Sequence, residues 1–319
     1  MRNENIDILK GLGIILMLLG HCNLPFGMVT FISMFHMPLF FIISGYLYKN
    51  RCVKEIISKT GKKTLCPYFF TGLIIWLLKS LNGEYTWFIS LFFANGSRPL
   101  FNNEDLQGYM VGPLWFLIAY IVSLVLFHYL LKISKLKWRF FVIFFLFEVS
   151  ILISKYIGLL PLDILPAISG TLFLFVGYSL NHPNIKNYSH RSIVIVIGAI
   201  SVFLCLYCGS LSMASHRYGL NFLQIIAAVT VTLYLYYLIS RYNKLKYVKT
   251  FGVFGKYTLP IMCVHAIDWN LKLSDQIASF ICNTPQLQFI PSFMAKAVFV
   301  GFCVYVIKYT PPLKYIYSI

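Results

Sequence analysis

Acidic residues are scarce. The 319-residue chain holds ten Asp and Glu against 27 Lys and Arg, and only 12% of its residues are charged. A soluble domain carries about 25% charged residues, so there is too little charge here to coat a water-facing surface. That excludes an ordinary soluble enzyme, and an apolar content of 59% excludes disorder. No internal repeat, low-complexity run or soluble domain interrupts the chain. The eight cysteines lie mostly in apolar segments or basic loops. Cys205 and Cys208 share an apolar run with no His run beside it, so they read as small buried hydrophobes rather than metal ligands.

Long apolar runs are what the chain has instead. Runs of about 20 residues, the length that crosses roughly 30 Å of hydrocarbon, recur at 6–24, 28–48, 65–81, 109–131, 139–157, 164–181, 192–209, 219–240, 254–271 and 289–308. The stretch 85–94 is too short to span and reads as an interfacial or re-entrant helix. The expectation is an all-α polytopic membrane protein with about ten transmembrane helices, a single membrane-embedded domain over 1–319. The N-terminus resembles a signal peptide only superficially. Lys10 and His21 break its apolar stretch and no small-x-small site follows, so it reads as a retained first span.

Charge distribution orients the chain. With the N-terminus in the cytoplasm, 21 of the 27 Lys and Arg fall on the cytoplasmic side. They include Lys49 to Lys63, Lys132 to Arg139, Lys186 with Arg191, and Arg241 to Lys256. Both termini are therefore expected in the cytoplasm, and the net charge of +17 is explained by the positive-inside rule rather than by nucleic acid.

Ionisable groups inside apolar spans are costly and usually functional. Lys10 and His21 are eleven residues apart, close to three helical turns, so they share a face about 16 Å apart along the axis. Asp7 lies within about 40° of the same line. Gly13 and Gly20 on this helix would let a neighbour approach its backbone. His36, about eight residues into the second run, is expected at a depth similar to His21, and Pro38 beside it frees a carbonyl. Glu148 sits in the middle of the fifth run, either orienting a His or as a neutral structural group. Trp115 opens the fourth run, as a sugar-stacking platform or an interfacial belt residue. His265 and Asp268 end the ninth run near the outer face and are candidates for an acceptor site. His128, His182, His190 and His216 lie near loops and are assigned no role.

Asp7-Ile-Leu-Lys-Gly-Leu-Gly-Ile14, then Gly20-His21, then Phe35-His-Met-Pro-Leu-Phe-Phe-Ile-Ile-Ser-Gly-Tyr46 resemble acyltransferase family 3, the integral membrane O-acyltransferases. The likeness is closest to the branch described as fucose 4-O-acetylase-like. It is specific over residues 3–70, weaker at Gly112-Pro-Leu-Trp-Phe-Leu117 and Gly255–His265, and elsewhere rests on topology. Lys10 and His21 fill the family's pattern of a basic residue and a His with ten residues between them. Lys10 stands where many members have Arg, which removes a bidentate phosphate grip. Lys59-x-x-Lys62 with Lys63 stands where the family often has Arg-x-x-Arg.

The resemblance implies acyl transfer from cytoplasmic acyl-CoA, usually acetyl-CoA, to a sugar hydroxyl of a cell-surface or lipid-linked glycan. Acetyl-CoA is then a donor substrate, and no metal or prosthetic group is called for. The protein is expected in the cell membrane, the cytoplasmic one in a bacterium. Lys10, Lys59, Lys62 and Lys63 would hold the phosphates of the donor. The pantetheine arm would follow the glycine-lined face, and His21 would act as base or acyl carrier. The competing reading is a proton-coupled small-molecule transporter using His21, Asp7 and Glu148 as a relay, although no matched pair of broken helices supports it. A non-catalytic scaffold gives no reason for polar groups at mid-membrane.

Overall fold

The computed structural model describes residues 3–106, 109–181, 191–208 and 211–319, without the side chains of 191–195 and 208. Arg2, His182, Lys186 and His190 lie outside the described residues, as do the side chains of Arg191 and Cys208.

Each of the ten apolar runs holds a helix. These are α1 (Glu4–Gly20), α2 (Phe26–Tyr46), α3 (Lys62–Ser80), α4 (Trp115–Leu131), α5 (Leu136–Tyr156), α6 (Ile164–Leu180), α7 (Arg191–Cys208) and α8 (Phe222–Tyr242), followed by α9 (Lys246–Lys256), α10 (Thr258–Leu271), α11 (Leu273–Ile281) and α12 (Phe289–Tyr309). The additions to the sequence reading, among them α9, α11 and a last helix over Pro311–Ile316, are short. Among the described residues, five stretches are long and apolar enough to cross a membrane: Phe26–Tyr46, Gly112–Leu131, Pro161–Leu180, Phe222–Tyr242 and Pro285–Tyr309. Large apolar side chains point outward from the bundle, such as Phe141 and Phe145 on α5 and Phe302 on α12. An exterior of that kind is unfavourable in water and natural in lipid. Inside, Phe35, Phe41, Tyr68, Phe127, Phe147 and Phe173 are buried almost completely.

α1 begins where Asn3 caps it, the side chain accepting from the Asn5 and Ile6 amides (3.1 and 3.4 Å), with Glu4 and Asp7 favourable in the first turn. It ends at Gly20, four residues short of the expected span, and His21 is its C-cap. Pro25 contributes to the early stop, because a residue preceding proline avoids the helical region.

Glycine crossings join two helix pairs, α1 with α9 and α2 with α6. A Cβ on Gly11 would lie 1.8 Å from the Phe251 carbonyl oxygen of α9, and one on Gly255 would lie 1.8 Å from that of Asp7. On α2 and α6, Cβ atoms on Gly45 and Gly177 would each lie 2.0 Å from the facing carbonyl oxygen, of Leu174 and Ile42. Backbones approach this closely only where side chains are absent. Gly13 and Gly20 serve otherwise than expected. Gly13 faces Leu39 and Phe40 of α2, and Gly20 faces Ile32. They are packing positions rather than a track for a ligand.

The basic loop before α3 is helical. Val53–Glu55 leads into a π-turn over Ile56–Gly61 that runs directly into α3, a distortion frequent at functional sites. The stretch 85–94 forms a short helical segment, Tyr85–Phe93, against α3. Tyr68 donates to the Leu91 carbonyl there (2.8 Å). A hairpin of Leu211–Ser212 with Arg217–Tyr218 follows α7. It is tied down by Arg98, which donates to the Ser215 carbonyl (3.2 Å), and by His216, whose Nε2 lies 2.9 Å from Ser150 Oγ.

Candidate active site

A cavity of about 290 Å³ opens between α1, α2, α4, α10 and the hairpin, and both His21 and His36 line it. Most of its remaining wall is apolar, including Ile14, Met17, Phe40, Phe116 and Met262. The hairpin supplies Leu211 to Ala214 as its roof.

The two imidazoles are placed differently. His21 sits just past the end of α1 and is exposed to the cavity. His36 is in the middle of α2. Because Gly20 packs against Ile32 and Gly13 against Leu39, His36 is level with about Leu16, roughly 7 Å further along the bundle than His21. The expected equal depth fails because of the register in which α1 and α2 pack. His36 Nδ1 donates to the Ile32 carbonyl at 2.8 Å. A carbonyl only accepts, so the neutral ring carries its proton on Nδ1 and leaves Nε2 as an acceptor.

His265 and Asp268 stand behind His21, not on the cavity wall. The His265 ring is buried, and its centroid is 4.9 Å from that of His21 with 39° between the planes. Asp268 accepts from the Ser274 amide (2.9 Å) and from its hydroxyl (2.5 and 2.6 Å), holding the first turn of α11. Its Oδ2 is 4.0 Å from His265 Nδ1 and 3.8 Å from Lys296 Nζ. Both thus lie next to His21 and outside the lining of this cavity.

Trp115 does line the cavity and is buried, so the lipid-belt alternative is excluded. Its indole is wedged against Gly96, where a Cβ would lie 2.7 Å from the ring. Glu148 is half-buried on α5 and lines none of the four principal cavities. The structure does not bring it to the histidines. Asp7 is buried at the α1–α9 crossing. Asp7 is thus about 21 Å from His21 along α1.

The basic residues form a corridor. Lys10 is half-buried in a second cavity of about 200 Å³, with Ser44, Tyr48, Lys49, Arg51 and Thr60. Lys59, Lys62 and Lys63 edge a third, of about 450 Å³, with Arg51, Thr60 and Tyr315. Tyr120 lines both the first cavity and the second, and Arg51 and Thr60 line both the second and the third. Neighbouring cavities therefore share wall residues between the basic surface and the histidines. Lys59 pairs with Glu55 at 2.8 Å. That hydrogen bond and charge hold the Glu55 carboxyl below its ordinary range. Lys62 donates to the Tyr315 hydroxyl (3.2 Å).

Three residues here escaped the sequence reading. Arg51 was counted only as a topological charge, and Tyr120 gave no signal among 51 Phe and Tyr residues. Lys296 did give one, since a lone ammonium inside an apolar run is itself a flag.

An apolar-skinned helical bundle enclosing two imidazoles at the end of a basic corridor has the build of a membrane-embedded transferase. The chain belongs to acyltransferase family 3, whose model, described as an acyltransferase domain, matches residues 3–308. The nodulation protein NolL of Mesorhizobium japonicum is 25% identical over 245 residues, which cover 70% of this chain and 60% of that protein. The match thus spans less than two thirds of the relative's length. No solved structure matches the chain.

Proposed function

We propose that the protein transfers an acyl group, acetyl in the first instance, from a cytoplasmic acyl-CoA to a sugar hydroxyl of a surface or lipid-linked glycan. The observation that carries this reading is the succession of three neighbouring cavities that share wall residues, from Arg51, Lys59, Lys62 and Lys63, past Lys10 and Tyr120, to His21 and His36. Coenzyme A matches it in order: anionic at its nucleotide end, thin and uncharged along the pantetheine, reactive at the thioester. The cations gather the phosphates at the mouth. Lys10, about 16 Å from His21 along α1, takes the innermost phosphate. The thioester then arrives in the apolar cavity, where exclusion of water limits its hydrolysis.

In the reaction, the acceptor hydroxyl oxygen bonds to the thioester carbonyl carbon while its proton passes to His21. The C–S bond then breaks, the thiolate of coenzyme A leaves, and His21 returns the proton to it. His36, with Nδ1 committed to Ile32, offers Nε2 to orient the acceptor. Trp115 and the hairpin roof lie where a sugar entering from the opposite side would meet them, with Trp115 as an aromatic wall. This scheme rests on ten spans with both termini in the cytoplasm, in the cell membrane. Bringing donor and acceptor together from opposite faces requires such a through-membrane site.

The test is twofold. Purified protein in nanodiscs should release free coenzyme A from acetyl-CoA when a glycan acceptor is present. Surface glycan from cells with the protein should be heavier by acetyl units than glycan from cells without it. Unchanged glycan mass together with absent thiol release would refute the proposal.

A further inference from the structure

α12 is mostly an outward-facing helix, with Met294, Val298 and Phe302 all exposed. Lys296 on the same helix is 1% exposed. An ammonium in such a place is costly unless it is paired and hydrogen-bonded. Both conditions are met. Nζ donates to the His21 carbonyl at 2.8 Å and lies 3.8 Å from Asp268 Oδ2.

The contacts close a ring. His21 touches Lys296 through its backbone, Lys296 faces Asp268, Asp268 faces His265 at 4.0 Å, and the His265 ring returns to the His21 ring at 4.9 Å. Ser274 fixes Asp268 from a third direction with three hydrogen bonds. His21 is the cap of α1, with non-helical φ −97° and ψ 16°. The closing carbonyls of a helix lack partners within it, and a cation there also complements the helix dipole. Without an outside donor, the backbone that aims the His21 ring would be held only by the end of a helix, where fraying begins. Lys296 does not line the cavity. It acts on the site only through His21.

We propose that Lys296 is a positioning residue for the transfer reaction, pinning the His21 backbone while Asp268 holds its charge and His265 backs the ring. This rests on the reading of His21 as the group that moves the proton. It adds a residue of α12 to a site built by α1, α2, α4, α10 and the hairpin.

The experiment uses the full-length protein with Lys296→Met, which removes donor and charge, and Lys296→Gln, which keeps a donor. Two readouts are taken on variants that remain monodisperse. The first is kcat and KM with acetyl-CoA. Lys296→Met should lower kcat by about 10- to 100-fold, the scale of a small misplacement of a reacting group. KM should stay within about threefold, because ground-state donor binding does not involve this residue. Lys296→Gln should recover part of the loss. The second needs no turnover. Diethyl pyrocarbonate modification of His21 and His36 is followed by peptide mass spectrometry. Lys296→Met should change the His21 rate by at least about threefold and leave His36 unchanged, as expected when one reacting group is misplaced and the other is not. A folded Lys296→Met protein with wild-type kcat overturns the proposal, and so do equal changes at both histidines. If Lys296→Met does not fold, the same criteria apply to Lys296→Gln, with smaller effects expected. If no variant, nor the wild type, turns over acetyl-CoA, the transfer reading fails while the labelling still decides whether Lys296 positions His21.

Discussion

Neutralising the corridor cations one at a time should raise KM for acetyl-CoA in proportion to their burial. Lys10 is half-buried in a small cavity, whereas Lys59 is 69% exposed and already paired to Glu55. A hydrogen bond to a charged group contributes about 1.5–3 kcal/mol when shielded, and an exposed pair contributes about 0–1 kcal/mol. At about 1.4 kcal/mol per tenfold change, Lys10→Ala should raise KM by roughly 10- to 100-fold. Lys59→Ala should raise it by no more than about fivefold. Arg51 is exposed but borders two cavities, so Arg51→Gln should fall between them. In each case kcat should hold, since the phosphates contacted do not change between ground and transition state. Lys10→Arg should keep most of the activity. Salt separates the classes further. Raising ionic strength from about 0.1 to 1 M shortens the screening length from roughly 10 to 3 Å. That should erase the Lys59 effect and leave much of the Lys10 effect. Initial rates of thiol release across a range of acetyl-CoA concentrations measure all of this. Equal KM changes for Lys59→Ala and Lys10→Ala would refute the corridor argument. A collapsed kcat at unchanged KM in Lys10→Ala would place Lys10 in the chemistry.

Other expectations are independent of that series. Gly11→Leu drives its side chain into the α9 backbone and should destabilise the protein by about 3 kcal/mol or more, whereas Gly27→Ala, with nothing within 4 Å, should leave the melting temperature unchanged. Glu148→Gln should retain turnover within about twofold, because a group outside the site contributes no transition-state stabilisation; a large loss would restore it to the mechanism. Single cysteines in a cysteine-free background should label from opposite sides with an impermeant reagent: Lys62→Cys from the cytoplasm only, Asn103→Cys from outside only. Labelling of both from one side would refute the ten-span arrangement.

The helices were legible because apolar length and polar breaks mark them directly, even for the charge-flanked α5 run. The pairing of Lys10 with His21 was legible because both lie on one helix, where periodicity fixes the angle. Relations between distant segments were not. Nothing in the run that holds His265 shows that α10 packs behind the end of α1 and brings that ring to His21. Gly13 and Gly20 looked like a ligand track because a sequence does not say which neighbour fills the space beside a glycine. The relative depth of His21 and His36 was misjudged because it depends on the register of α1 against α2, which neither run states alone. Arg51 was hidden among six basic residues of one segment, and only the fold shows which of them turn inward.

The most direct test of acyl transfer at His21 uses proteoliposomes with donor and acceptor on opposite sides. Radiolabelled acetyl-CoA is supplied on the side to which Lys62 faces and glycan acceptor on the other, for wild type and His21→Ala. The account predicts labelled acceptor with wild-type protein and a loss of about 10²- to 10⁴-fold with His21→Ala, in a variant that still inserts and still binds coenzyme A. Transfer by His21→Ala within a few-fold of wild type would contradict it.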